Sequence, residues 1–274
     1  MKKLLLLMML VSCSREPIDI DAAVEVGVLE EEDGGSIIED AFVPVFDAGV
    51  DGGGDEDAGV RGTVLPLAEM VLVGRMSDGI YAYKKKVNIW ECGVELDDRE
   101  LSDLSLKYAF QIVQAAKGVS DGVGMEDRWV LNPWGLAGTI GHETKFDRCS
   151  LGLNPRKTAY RVGALKKRKR CISHTEEDVL KALKNPKVKR MYARTGVDLG
   201  VSQLLSRFYE ARYDYKKMLN LKYGTEQAAR VMRHRGRRHS TKRPWLYWRG
   251  SKQTWYLDRV ERVMKRLGAK KHEI

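Results

Sequence analysis

The sequence predicts a mainly α-helical domain carried behind a long acidic tether, and three observations point to it. Leu104, Tyr108, Ile112 and Ala115-Ala116 share one face of a helix over 101–116, with Gly118 suited to stop it. Asn132-Pro133 reads as a helix start, since Asn132 can cap the first turn and Pro133 stands where an N–H would lack a partner anyway. Val260, Val263, Met264 and Leu267 recur at helical spacing up to Gly268, a plausible C-terminal stop.

The first 13 residues read as a targeting segment. Met1-Lys2-Lys3 is a short basic start, and residues 4–11 are continuously apolar. That run is too short to cross a bilayer, which takes about 20 residues, and suits the core of a signal peptide. Leu10-Val11-Ser12-Cys13 resembles a bacterial lipobox, in which the cysteine is lipidated and becomes the first mature residue. The resemblance implies lipidation at Cys13 and a membrane anchor. With Ser14 rather than Asp in the next position, it implies the periplasmic face of the outer membrane. An ordinary secretory signal with an incidental cysteine is the alternative.

Residues 14–62 are a different material, rich in Gly and Ala, with about 15 acidic residues against Arg15 and Arg61. Such a composition buries no core and predicts a disordered linker. A calcium loop fails, because the spacing from Asp47 to Asp57 lacks the alternating pattern and the liganding Glu. The chain holds 48 Lys and Arg and 38 Asp and Glu. Setting aside Lys2, Lys3 and the linker leaves residues 63–274 at roughly +21. A domain so basic is drawn to polyanions. In a cell envelope these are peptidoglycan carboxylates and lipopolysaccharide phosphates, and the signal segment argues against nucleic acid. Many of the cations also serve simply to solubilise helices.

Export permits disulfides. Cys92, Cys149 and Cys171 remain after Cys13, so at most one intramolecular bridge forms among them. Cys149–Cys171 is the expected pair, because it brackets a basic insertion. A zinc site from Cys149, Cys171 and His174 lacks a fourth ligand.

Along the domain, residues 63–90 suggest a small lead-in or a strand pair. The helix over 101–116 follows. Residues 131–147 place Leu136 and Ile140 one helical turn apart, with Glu143 at the border of that stripe near the helix end. Partial burial there raises a carboxyl pKa, as a general acid requires. Residues 153–190 form an insertion around Lys166-Lys167-Arg168-Lys169-Arg170, which reads as a solvated segment or a grip on anionic polymer. Ser173 or Thr175 can cap a helix through Val179, Leu180 and Leu183, which Pro186 interrupts. A capped helix over 225–236 precedes the last helix.

His142-Glu143-Thr144-Lys145-Phe146-Asp147 resembles the Glu-Ser-x-Phe box of lytic transglycosylases and goose-type lysozymes. Gly200, Gln203 and Leu204 match that family's Gly-x-x-Gly-Leu-Met-Gln-Leu box, whereas Val201 and Ser202 replace Leu and Met and Val197 stands in place of the first Gly. Arg233-His234-Arg235-Gly236 stands where the family has Tyr-Asn-Ala-Gly, and only the Gly matches. Trp255-Tyr256-Leu257-Asp258-Arg259-Val260 resembles the start of the last family helix. The resemblance covers roughly 101–267, taken as the domain core.

It implies a lysozyme-like fold that cleaves peptidoglycan between N-acetylmuramic acid and N-acetylglucosamine. Glu143 would protonate the bond oxygen and then act as base on the muramic 6-hydroxyl, closing a 1,6-anhydro ring. Thr144, Phe146, Gly200, Gln203 and Tyr256 would bind substrate. No cofactor and no metal are implied. One carboxylate can serve both steps because the attacking group belongs to the substrate.

Two alternatives stay open. One is a hydrolytic muramidase of the same fold, with Asp198 activating water. The other is an inactive peptidoglycan-binding lipoprotein, motivated by the drift at Ser202 and at 233–235. The aromatic cluster Trp245, Tyr247, Trp248, Trp255 and Tyr256 suits either sugar stacking or helix packing. His142-Glu143 is no zinc-protease motif, because position 146 is Phe rather than His. There is no Gly-x-Ser-x-Gly elbow and no phosphate loop. Cysteine-peptidase chemistry would rest on Cys149, the only cysteine near the motifs.

Overall fold

A computed structural model describes residues 66–120, 129–167, 174–193, 196–205, 214–249 and 252–274. Cys13, the acidic linker, the end of the basic block at 168–170, Cys171 and Ser173 lie outside the described residues.

Helix α1 (Leu67–Val87) opens the domain, with Val73, Met76, Ile80 and Tyr83 on one buried face. Of the two expectations for this stretch, a small lead-in or a strand pair, the strand pair is corrected: 67–87 is helical and joins the apolar core. A short antiparallel hairpin follows, β1 (Trp90–Glu91) against β2 (Val94–Glu95).

Helix α2 (Asp98–Val119) packs along α1. It starts at a capping box, in which Asp97 accepts from the Glu100 N–H at 2.8 Å and Glu100 accepts from the Asp97 N–H at 2.9 Å. Gly118 lies inside it, and the helix ends one residue later.

Helix α3 (Pro133–Thr144) begins as the sequence predicts, with Asn132 accepting from the Trp134 N–H at 2.9 Å. It is buried nearly all round. A Cβ on Gly138 would stand 2.5 Å from the Met264 side chain and 3.0 Å from the Val260 carbonyl, so glycine lets α3 lie against the last helix.

Among its described residues, the stretch expected as an insertion holds three helices, α4 (Leu153–Arg161), α5 (Glu176–Lys184) and α6 (Pro186–Tyr192). Thr175 caps α5, accepting from the Asp178 N–H, and Pro186 separates α5 from α6.

A second hairpin, β3 (Asp198–Leu199) against β4 (Leu204–Leu205), pairs Asp198 with Leu205 and Leu199 with Leu204. Then come α7 (Tyr215–Met218), α8 (Leu221–Arg238) and α9 (Thr254–Arg266), with a 3₁₀ turn over Pro244–Tyr247 between the last two. Helix α8 starts from the Asn220 cap, ahead of the expected Thr225. Gly268, at φ +85°, follows the end of α9 as predicted. One continuous apolar core joins α1, α2, α3, α8 and α9. Among the described residues no helix is long and apolar enough to cross a membrane.

Candidate active site

Glu143 comes from the last turn of α3, which ends at once in two residues of left-handed backbone, Lys145 (φ +56°) and Phe146 (φ +57°). Non-glycine residues adopt that conformation at a steric cost. Burial of Phe146 offsets it: the ring is fully buried, edge-on to Tyr83 and Tyr108 with centroids 5.9 and 5.4 Å away. The buried Lys84 ammonium donates to the Phe146 carbonyl at 2.8 Å. Phe146 therefore sets the turn behind Glu143 and does not face the cleft, which corrects its expected place in the substrate site.

Thr144 is likewise buried. Its hydroxyl lies 3.0 Å from the Ile140 carbonyl and 2.8 Å from the Val201 carbonyl. It ties the end of α3 to the β3–β4 turn rather than facing a substrate. In that turn Gly200 (φ +79°) and Gln203 (φ +53°) adopt left-handed backbone, and the Gly200 N–H donates to the Ser150 carbonyl at 3.1 Å. Gly200 is buried too, so its role is to turn the chain. The Gln203 amide donates to the Ser150 carbonyl at 2.9 Å and to the Gly200 carbonyl at 3.3 Å.

A cleft of about 670 Å³ opens between these elements. Glu143, Asp198 and Gln203 line it, with His142, Trp248 and three arginines, Arg156, Arg235 and Arg249. Of the residues expected to bind substrate, only Gln203 is on the wall. Tyr256 is fully buried beneath Glu143, and its hydroxyl donates to Oε1 at 2.7 Å. It positions the carboxylate instead of meeting a ligand.

The Glu143 side chain is 7% exposed, whereas that of its ion-pair partner Arg249 is 51% exposed. Nη2 of Arg249 lies 3.2 and 3.0 Å from the two carboxylate oxygens. Burial raises the Glu143 pKa, opposed by the Tyr256 hydrogen bond and by Arg249, while Asp198 adds to the rise. Burial also raises Asp198, again opposed by Arg249. His142 is pushed down to about 4 by burial and by Arg259, Arg249 and Arg262, so it is neutral at pH 7. Its ring meets Tyr256 edge-on at 5.1 Å.

The aromatic cluster divides. Trp245 is buried against α3, Trp248 lines the cleft, Tyr247 stacks on His239 at 3.8 Å, and Trp255 is exposed beneath Arg259.

Sequence reasoning misses Arg249 altogether and reads Arg235 only as drift. No local signal marks Arg249, which stands 106 residues from Glu143. The disulfide is also corrected: Cys92 bonds Cys149, not Cys171. It ties the first hairpin to the segment after α3. Asp147 accepts from both cysteine N–H groups, at 3.2 and 3.1 Å. The bridge removes Cys149 as a nucleophile. Cys92, Asp147 and Cys149 are the one metal-type cluster among the described residues, and their sulfurs are bonded to each other.

Comparisons with protein-family models, with curated proteins and with solved structures find no match to this chain.

Proposed function

We propose that this chain is a lysozyme-like enzyme that cleaves the glycan strand of peptidoglycan, with Glu143 as acid and base, held at the cell envelope through Cys13. The observation that carries the reading is a nearly buried carboxylate, Glu143, sharing a 670 Å³ cleft with Gln203. The two residues come from the two sequence boxes that suggest the family.

In its neutral form Glu143 gives its proton to the bridging oxygen as the C1–O bond breaks. The carboxylate then takes the proton of the muramic 6-hydroxyl as O6 bonds to C1. The acid is restored and no water is consumed. Tyr256 holds Oε1 throughout, and burial favours the neutral acid that the first step needs.

Asp198 favours a second reading. It lines the same cleft and interacts with Glu143, so it could activate water in a muramidase. Product mass separates the two, because the anhydro product is one water lighter. Purified peptidoglycan incubated with the protein should yield anhydro-muropeptides. Hydrated products would assign the muramidase. Binding without products would leave a glycan-binding protein.

A further inference from the structure

The cleft holds more positive charge than this reaction uses. Arg235, from the last turn of α8, lies 6.0 Å from the Trp248 ring, and Arg249 lies 5.6 Å from the Tyr256 ring. Nη1 of Arg235 is buried with no hydrogen-bond partner among the described residues. A guanidinium desolvated on one side and left unpaired is costly, and a ligand acceptor meeting the part of Arg235 that lines the cleft would offset that cost. Arg249 is the solvent-exposed member of its ion pair, half in water while Glu143 is not. While it sits on Glu143 it favours the carboxylate, the form that has no proton to give.

We propose that Arg235 and Arg249 form an anion-binding subsite beside Glu143, that it takes a carboxylate carried by the glycan, and that filling it draws Arg249 off Glu143. The subsite stands on the arginines alone. That its carboxylate arrives on a glycan rests on the proposed function.

A carboxylate matches a guanidinium fork through parallel N–H···O bonds. With Arg249 turned to the ligand, Glu143 keeps Tyr256 from α9 as donor and faces Asp198 from β3. Neutral His142 precedes it on α3, and Arg156 on α4 and Arg235 on α8 complete the charged wall. Burial then favours the protonated acid. Binding an acidic strand and arming Glu143 become one event, and an uncharged glycan would bind without arming it.

The test uses the full chain and three probes: inorganic phosphate alone, a disaccharide muropeptide with free stem-peptide carboxylates, and uncharged chitotetraose. Calorimetry follows binding, and carboxyl-carbon NMR follows Glu143. Phosphate should saturate, and the muropeptide should bind about 10-fold tighter than chitotetraose at low salt, the effect of one charge-assisted pair. Phosphate should raise the Glu143 pKa in the wild type. R249Q and R235Q should each lose most of the phosphate binding and of the preference, and R249Q should lose the phosphate-induced shift. Because Arg249 is half-exposed, R249Q decides the matter even if R235Q fails to fold.

Phosphate saturation with neither saccharide bound would keep the subsite and remove the glycan reading. Equal binding of both saccharides without phosphate saturation would overturn the subsite and keep the glycan reading. Saturation with no movement of Glu143 would overturn the release of Arg249.

Discussion

Glu91 and Glu143 are two buried carboxylates with matching partners and different surroundings. Each accepts from a tyrosine hydroxyl, Tyr108 at 3.2 Å and Tyr256 at 2.7 Å. Each faces an arginine, Arg148 at 3.6 Å and Arg249 at 3.0 Å. Burial raises both pKa values, that of Glu91 to about 7. The difference lies in access. Glu91 adds the buried Lys84 at 3.7 Å, and the Asp147 beside it accepts from both cysteines of the disulfide. Glu143 opens on a cleft, and its arginine is half in water. The same groups make a structural tie where solvent and ligands are excluded and a candidate acid where they are admitted.

The largest stability effect should come from Lys84→Met. It removes the cation facing Glu91 and the donor to the Phe146 carbonyl, and breaking a buried pair this way costs about 3–5 kcal/mol. The loss should depend on pH. Glu91 has a folded pKa of about 7, above its ordinary 4.5. Its contribution to stability is therefore fully present below about 4.5 and lost as pH rises through about 7. Lys84→Met should be worse at pH 8 than at pH 5, where Glu91 is neutral. Denaturant titrations at the two pH values check this, and equal losses would contradict it.

Replacing Cys92 and Cys149 together by Ser should cost about 2–4 kcal/mol, because the bridge closes a long loop. Thermal melts of the oxidised protein and the variant measure it. Thr144→Val should cost about 1–3 kcal/mol by leaving the buried Val201 carbonyl without its hydroxyl donor. Arg249→Gln, at the exposed end of the other ion pair, should move stability by less than about 1 kcal/mol. A large loss there would make Arg249 a structural tie like Arg148.

How much of the fold and the site is legible follows from the range of each interaction. The start of α3 and the stop of α9 are local, and Asn132-Pro133 and Gly268 announce them. The α1 face from Val73 to Tyr83 is also local, but Gly74 and Gly79 interrupt it and an apolar run precedes it, so the period does not decide between a small lead-in and a strand pair. Glu143 and Gln203 stand out because their boxes keep their order. Thr144, Phe146 and Tyr256 stand out as well, but burial is not visible in sequence, so positioning residues pass for contacts. The Cys92–Cys149 bridge and the Arg249–Glu143 pair join segments 57 and 106 residues apart. Nothing in either segment names its partner.

The most direct measurement sets the two carboxylates side by side. Wild type, E143Q and E91Q are incubated with purified peptidoglycan, and released muropeptides are read by mass. E143Q keeps the volume of the side chain but can neither give nor take the proton. Its rate should fall roughly 10²–10⁴-fold, while E91Q should still release anhydro-muropeptides. Undiminished release by E143Q would contradict the assignment of Glu143 as the acid and base.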